Sequence, residues 1–101
     1  ETAAIYEACT VLGGWRLFMC ELYVTLEPCP MCAGAIVNSR VKRVIYGAPD
    51  SKAGAFGGVF VMNSFPLNHK PEITAGVCGE ECSEMLRSFF RELRERKSAE
   101  R

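Results

Sequence analysis

Residues 27–32 read Glu27-Pro28-Cys29-Pro30-Met31-Cys32 and join a predicted strand to a predicted helix. Two cysteines three apart in the first turn of a helix project from the same side. The positive end of the helix dipole favours their thiolate forms, which makes the pair candidate ligands for a zinc ion. Pro28 is read as the proline of the helix start, because a proline there sacrifices no intrahelical hydrogen bond and presets the backbone angle. Spacing alone leaves a second reading open, a buried or redox-active cysteine pair.

Working outward, Leu22, Val24 and Leu26 alternate with Tyr23 and Thr25, which predicts a strand over Glu21–Leu26. The cysteine-bearing helix reaches about Asn38, and Val44-Ile45-Tyr46 forms the centre of a second strand over residues 41–47. A strand, a helix and a strand in succession predict a parallel crossover unit. Upstream, Ala4, Ile5, Ala8 and Leu12 share one face of a helix that Gly13-Gly14 ends. The chain has no initiator methionine and its first residues already carry helical periodicity, so it is expected to begin inside a helix. Downstream, Gly54, Gly57, Gly58 and Pro66 punctuate a long loop over residues 48–68, with a short helical turn near 61–64. A short strand is predicted over residues 72–77. The last helix carries the apolar stripe Cys82, Met85, Leu86, Phe89, Phe90 and Leu93, which assigns Phe89 and Phe90 to the core rather than to a base-stacking platform.

A chain of 101 residues, 49% of them apolar, buries one modest core and is read as a single domain. Twelve basic residues balance twelve acidic ones, a null net charge that neither demonstrates nor excludes a nucleic-acid partner. Basic residues do gather at Arg40, Lys42 and Arg43, and again at Arg91, Arg94, Arg96, Lys97 and Arg101. No apolar run reaches the roughly twenty residues of a membrane span and no signal-peptide pattern opens the chain, so a cytoplasmic protein with no membrane partner is expected. The six cysteines are read as reduced thiols, with Cys9, Cys20 and Cys82 as small buried hydrophobes. Gly79, between Cys78 and Cys82, makes those two a strand end and a helix face rather than a clamp.

Several segments together carry a family resemblance. Glu1, the run Leu26-Glu27-Pro28-Cys29-Pro30-Met31-Cys32-Ala33-Gly34-Ala35, Ser39-Arg40-Val41 and Tyr46-Gly47-Ala48 closely resemble the zinc-dependent nucleobase deaminases. Asp50-Ser51-Lys52-Ala53-Gly54-Ala55, Asn68-His69, Gly76-Val77, Glu81-Cys82 and Phe89-Phe90-Arg91 extend the likeness over essentially the whole chain. Within that superfamily the sequence is most similar to the bacterial tRNA adenosine deaminases. The resemblance implies an α/β, cytidine-deaminase-like layered fold with a mixed sheet flanked by helices. It also implies one deaminase domain over residues 1–101, with an amino-terminal helix and leading hairpin strands falling ahead of residue 1. Cys29 and Cys32 match two of the three protein ligands of a Zn2+ ion, and Glu1 matches the glutamate that shuttles protons. The family's third ligand, a histidine, lies two residues ahead of Glu1. His69, the sole histidine of the sequence, is expected in a loop near the substrate entrance or on the surface rather than on the metal.

The implied activity is hydrolytic deamination of the wobble adenosine to inosine in a tRNA anticodon loop. A base must leave its stack to enter a zinc pocket, and an anticodon loop already offers splayed bases. Asp50 and Lys52 are expected near neighbouring ribose and phosphate groups, and Asn68, His69, Phe90, Arg91 and Arg94 are further tRNA-binding candidates. The family resemblance also implies a homodimer in which residues 31–35 contribute, with Gly34 allowing close backbone approach. Without leading strands, Glu21–Leu26 presents an open edge, so the chain alone is expected to be marginal or to associate. Three other readings stand beside this one. One is a deaminase of free guanine or cytosine. Another is a dithiol redox protein, although Glu27-Pro28 and Pro30-Met31 replace the usual aromatic and glycine neighbours. The last is a non-catalytic remnant that binds zinc or tRNA.

Overall fold

The computed structural model describes residues 1–99. In chain order they form α1 (Thr2–Leu12), β1 (Glu21–Leu26), α2 (Pro30–Asn38), β2 (Arg43–Ala48), a 3-10 turn (Met62–Ser64), β3 (Glu72–Thr74) and α3 (Gly79–Ala99). Arg101 of the basic tail lies outside the described residues.

The strands form one sheet in the order β1-β2-β3, all parallel, with Glu21 opposite Arg43, Leu26 opposite Ala48 and Arg43 opposite Glu72. Among the described residues the sheet has no antiparallel strand, and β1 lies at its edge. Side chains alternate across a strand. Val44 and Tyr46 therefore point to one face, where they pack with Ile5, Leu17, Ala33, Ile36, Val41, Ala55 and Phe56 in the core. Gly47 points to the other face and receives α3, whose Cys82 sits directly against it. The result is three layers, with α1 and α2 on one side of the sheet and α3 on the other.

Because β3 is parallel to β2, the chain leaving Ala48 must return to the opposite end of the sheet before it can pair again. Residues 49–71 make that journey as a loop rather than a helix. Its first part therefore lies at the carboxyl end of the strands and its last part at the amino end.

Four expectations need correction. The cysteine helix starts at Pro30, with Cys29 as its N-cap and Pro28 buried ahead of it, because a proline at 30 already satisfies the helix-start requirement. β3 is three residues long, since left-handed backbone at Gly76 (φ 80°) and Cys78 (φ 53°) turns the chain toward α3. Phe89 and Phe90 are not core residues: they remain 57% and 48% exposed. A 21-residue helix is about 31 Å long, whereas six-residue strands span about 20 Å, so much of the stripe has no sheet beneath it. Cys9, Cys20 and Cys82 are half-buried rather than enclosed, and all six cysteines are free thiols.

Candidate functional site

Pairing between β1 and β2 continues one residue past the strand, the Glu27 N–H donating to the Ala48 carbonyl at 2.9 Å. Cys29 then takes extended angles (φ −76°, ψ 172°), as an N-cap requires, and its carbonyl accepts the first helical hydrogen bond from Ala33 at 2.8 Å. Cys32 falls in the first turn of α2 and is buried, while Cys29 is half-buried. The backbone N–H of Cys32 is the main influence that lowers the Cys29 thiol from its ordinary value, outweighing the opposing effect of burial. Burial acts the other way on Cys32, whose thiol is pushed up to about 12, and the negative charge of the Glu1 carboxylate adds to the shift. Glu1 is the N-cap residue of α1, yet its carboxylate makes no capping bond there. The three residues assigned to chemistry by the sequence are thus brought together where α1 and α2 begin.

Two sulfur donors at a helix N-terminus are of the kind that suits zinc, whose catalytic sites take three protein ligands. Among the described residues, no cluster of three or more His, Cys, Asp and Glu side chains is arranged to hold a metal.

The loop after β2 starts at the same sheet end. Asp50 Oδ1 accepts the N–H groups of Lys52 at 3.0 Å and Ala53 at 3.2 Å, closing a turn with its own side chain. Lys52 borders a cleft of about 490 Å³ whose other walls are Leu86, Arg87, Phe90, Arg91 and Arg94 of α3. Lys52, Phe90, Arg91 and Arg94 therefore meet in one basic cleft around an aromatic ring, and Phe90 stacks edge-to-face on Phe89 at 5.4 Å. Asn68 and His69 do not join either group. His69 Nε2 lies 2.6 Å from the Val41 carbonyl, ahead of β2 and at the amino end of the sheet, opposite to the cysteines.

A family model of MafB19-like deaminases matches residues 1–94. The chain belongs to this deaminase family. It is 53% identical over 102 residues to a tRNA-specific adenosine deaminase of Bacillus subtilis, covering 100% of this chain and 63% of that protein. A tRNA-specific adenosine deaminase of Haemophilus influenzae is 46% identical over 102 residues, covering 100% of this chain and 59% of the relative. A chain solved in structural studies of A-to-I editing by tRNA:A34 deaminases at the wobble position superposes with a TM-score of 0.75 at 42% identity, over 81% of this chain and 60% of that one. This deaminase chain thus spans about three-fifths of the length of the relatives it matches.

Two residues at the cysteine end of this deaminase carry no signal in the sequence reading. Glu27 is a strand-end carboxylate only 2% exposed, whose partners lie 23 to 31 residues further along the chain. Arg87 lies off the apolar stripe of α3, and only the approach of Lys52 places it in the basic cleft.

Proposed function

We propose that this deaminase converts the wobble adenosine of a tRNA anticodon loop to inosine, consuming water and releasing ammonia, as one cytoplasmic domain over residues 1–101. The Cys29-Cys32 pair at the start of α2, with the Glu1 carboxylate near enough to raise both thiols, carries the reading. Cys29 and Cys32 would hold zinc as two of its protein ligands. Zinc, when bound, supplies Lewis-acid activation of water. Glu1 accepts the proton of the attacking water, passes it to the ring nitrogen, and assists departure of the amine. Lys52, Arg91 and Arg94 meet backbone phosphates, Phe90 offers a ring face to an unstacked base, and Asp50 holds the turn that presents Lys52. Asn68 and His69, at the amino end of the strands, are left out of the substrate path.

A homodimer through residues 31–35 fits the open surface there: Met31 is 70% exposed, and a Cβ on Gly34 would meet nothing within 4 Å.

The test is incubation of the zinc-loaded, full-length protein with an anticodon stem-loop and with free adenosine, cytosine and guanine, followed by mass analysis of the products. Inosine at the wobble position alone is expected. Conversion of a free base with no inosine in the stem-loop would replace this substrate assignment with a free-base one.

A further inference from the structure

Glu27 ends the first strand's pairing and precedes the Pro28-Cys29 turn, and a carboxylate 2% exposed requires compensation. Three backbone N–H groups of a single loop supply it. Asp50 donates to Oε1 at 3.0 Å, while Phe56 and Gly58 each donate to Oε2 at 2.9 Å. The adjoining Pro28 carbonyl accepts from Ala55 at 3.0 Å, so two consecutive residues grip the loop. Glycine makes the approach feasible: a Cβ on Gly54 or Gly58 would collide with this carboxylate, and the one on Gly58 would also strike the Asp50 carbonyl. Phe56, held at its N–H by Glu27, accepts the Tyr46 hydroxyl at its carbonyl, 3.5 Å away.

We propose, on the deaminase reading above, that Glu27 is a positioning residue that locks residues 50–58 against the cysteine turn and so holds Lys52 at a fixed place for the nucleotides flanking the target base. It touches neither substrate nor metal. Its effect passes through Asp50, which is tied by its N–H to Glu27 and by its side chain to Lys52 and Ala53. A loop already ordered before binding avoids the entropic cost of being ordered by the substrate.

Glu27→Gln separates this role from simple support of the fold. A glutamine keeps the shape and one acceptor oxygen, but its NH2 group faces an N–H. It can serve Phe56 and Gly58 together, or Asp50, but not all three. Hydrogen exchange and steady-state kinetics on an anticodon stem-loop are measured with the full-length, zinc-loaded protein. In E27Q, exchange at Asp50 is expected to rise by at least about tenfold, the scale set by one unsatisfied buried donor. KM for the stem-loop is expected to rise about as much, kcat to fall less than about threefold, and zinc content and exchange at Ile36 and Val44 to hold. Unchanged exchange across residues 50–58 overturns the lock. A rise in exchange with unaltered KM, or a rise in KM accompanied by zinc loss or faster exchange at Ile36, overturns the positioning role. Should E27Q fail to accumulate as folded protein, Gly54→Ala presses on the same carboxylate from the loop side and is read by the same criteria. A wild-type protein with protected loop amides that makes no inosine overturns the deaminase substrate and leaves the lock standing.

Discussion

Gly47→Ala tests whether α3 docks on the sheet through the one β2 position that lacks a side chain. Strand preference alone favours the substitution, since glycine within a strand is worse than alanine by roughly 0.5–1 kcal/mol. Packing opposes it. An alanine Cβ would lie 2.9 Å from the Cys82 Cβ and 3.0 Å from the Val77 carbonyl oxygen, and would press on the Cys82 sulfur. Carbon atoms in contact sit about 3.5–4.0 Å apart, so the shortfall is about 0.6 Å or more. Rotating the Cys82 side chain moves its sulfur but not its Cβ, and α3 itself must therefore retreat. Overpacking of this kind costs about 1–3 kcal/mol, which against the strand gain leaves a net loss centred on about 1 kcal/mol. Guanidinium unfolding of G47A, C82A and the double variant gives the decisive number, a coupling energy. Removing the sulfur first should relieve part of the collision, so the double variant is expected to be more stable than the sum of the singles by at least about 0.5 kcal/mol. Strict additivity, or a G47A protein as stable as the parent, would refute docking of α3 through this glycine.

Four further outcomes follow from the geometry. Glu1→Gln should lower kcat on the stem-loop by about 10²–10⁴-fold while zinc per chain holds; a parallel loss of zinc would make Glu1 a ligand instead. Replacing Arg91 and Arg94 together by Glu should reduce the salt slope of stem-loop binding by roughly 1.4, two single-strand phosphate contacts, and an unchanged slope would remove both from the interface. Burial first, and the Glu27 carboxylate second, push the Tyr46 phenol above its ordinary value. The unfolded chain then loses this proton before the folded one, so the contribution is complete below about pH 10 and declines as pH rises past it. Tyr46→Phe should flatten the decline in urea unfolding between pH 9 and 11 by comparison with the parent, and identical pH profiles would count against it. His69→Ala should cost about 0.5–1.5 kcal/mol through loss of the bond to Val41 and leave KM for the stem-loop as it was; a raised KM would return His69 to the substrate path.

Legibility in the sequence tracked the distance over which each decision is made. β1 was readable to the residue because Leu22, Val24 and Leu26 alternate locally, and the α1 stop because Gly13 takes the left-handed angle that a C-cap favours (φ 72°). The start of α2 falls two residues past the Pro28 reading for an equally local reason: Pro30 satisfies the same rule, and only the backbone angles at Cys29 decide between them. The fate of Phe89 and Phe90 was illegible, because a stripe's burial depends on how far the opposing sheet extends, which no helical period encodes. The same holds for Glu27, a residue that resembles any acidic strand end until a loop 23 residues away closes over it. Glu1 is the extreme case. By itself it is an acidic residue at a helix N-cap, and only the family resemblance singles it out.

The parallel sheet explains why the two ends of this molecule do different work. Parallel strands all finish at the same end, so the turn after β1 and the loop after β2 must meet there, and the amino end of α2 brings its partial positive charge to that meeting. The thiol pair, Glu1 and the loop carrying Lys52 are therefore neighbours by topology, although more than twenty residues separate Cys29 from Lys52. Chain entries converge at the other end, and the polar groups there are spent on each other. Arg43 lies 3.4 Å from Glu21 and 3.2 Å from Glu72, tying all three strands, and the Arg40 guanidinium donates to the Val37 carbonyl at 2.9 Å, near the end of α2. Exposed pairs of that kind are each worth about 0–1 kcal/mol, enough to trim strand register but too little to hold the fold. Two of the three cations in the Arg40, Lys42 and Arg43 cluster are thus already engaged with the protein, whereas Lys52, Arg91 and Arg94 line an open cleft. Equal numbers of acidic and basic residues therefore conceal a local basic cleft formed by Lys52, Arg91 and Arg94.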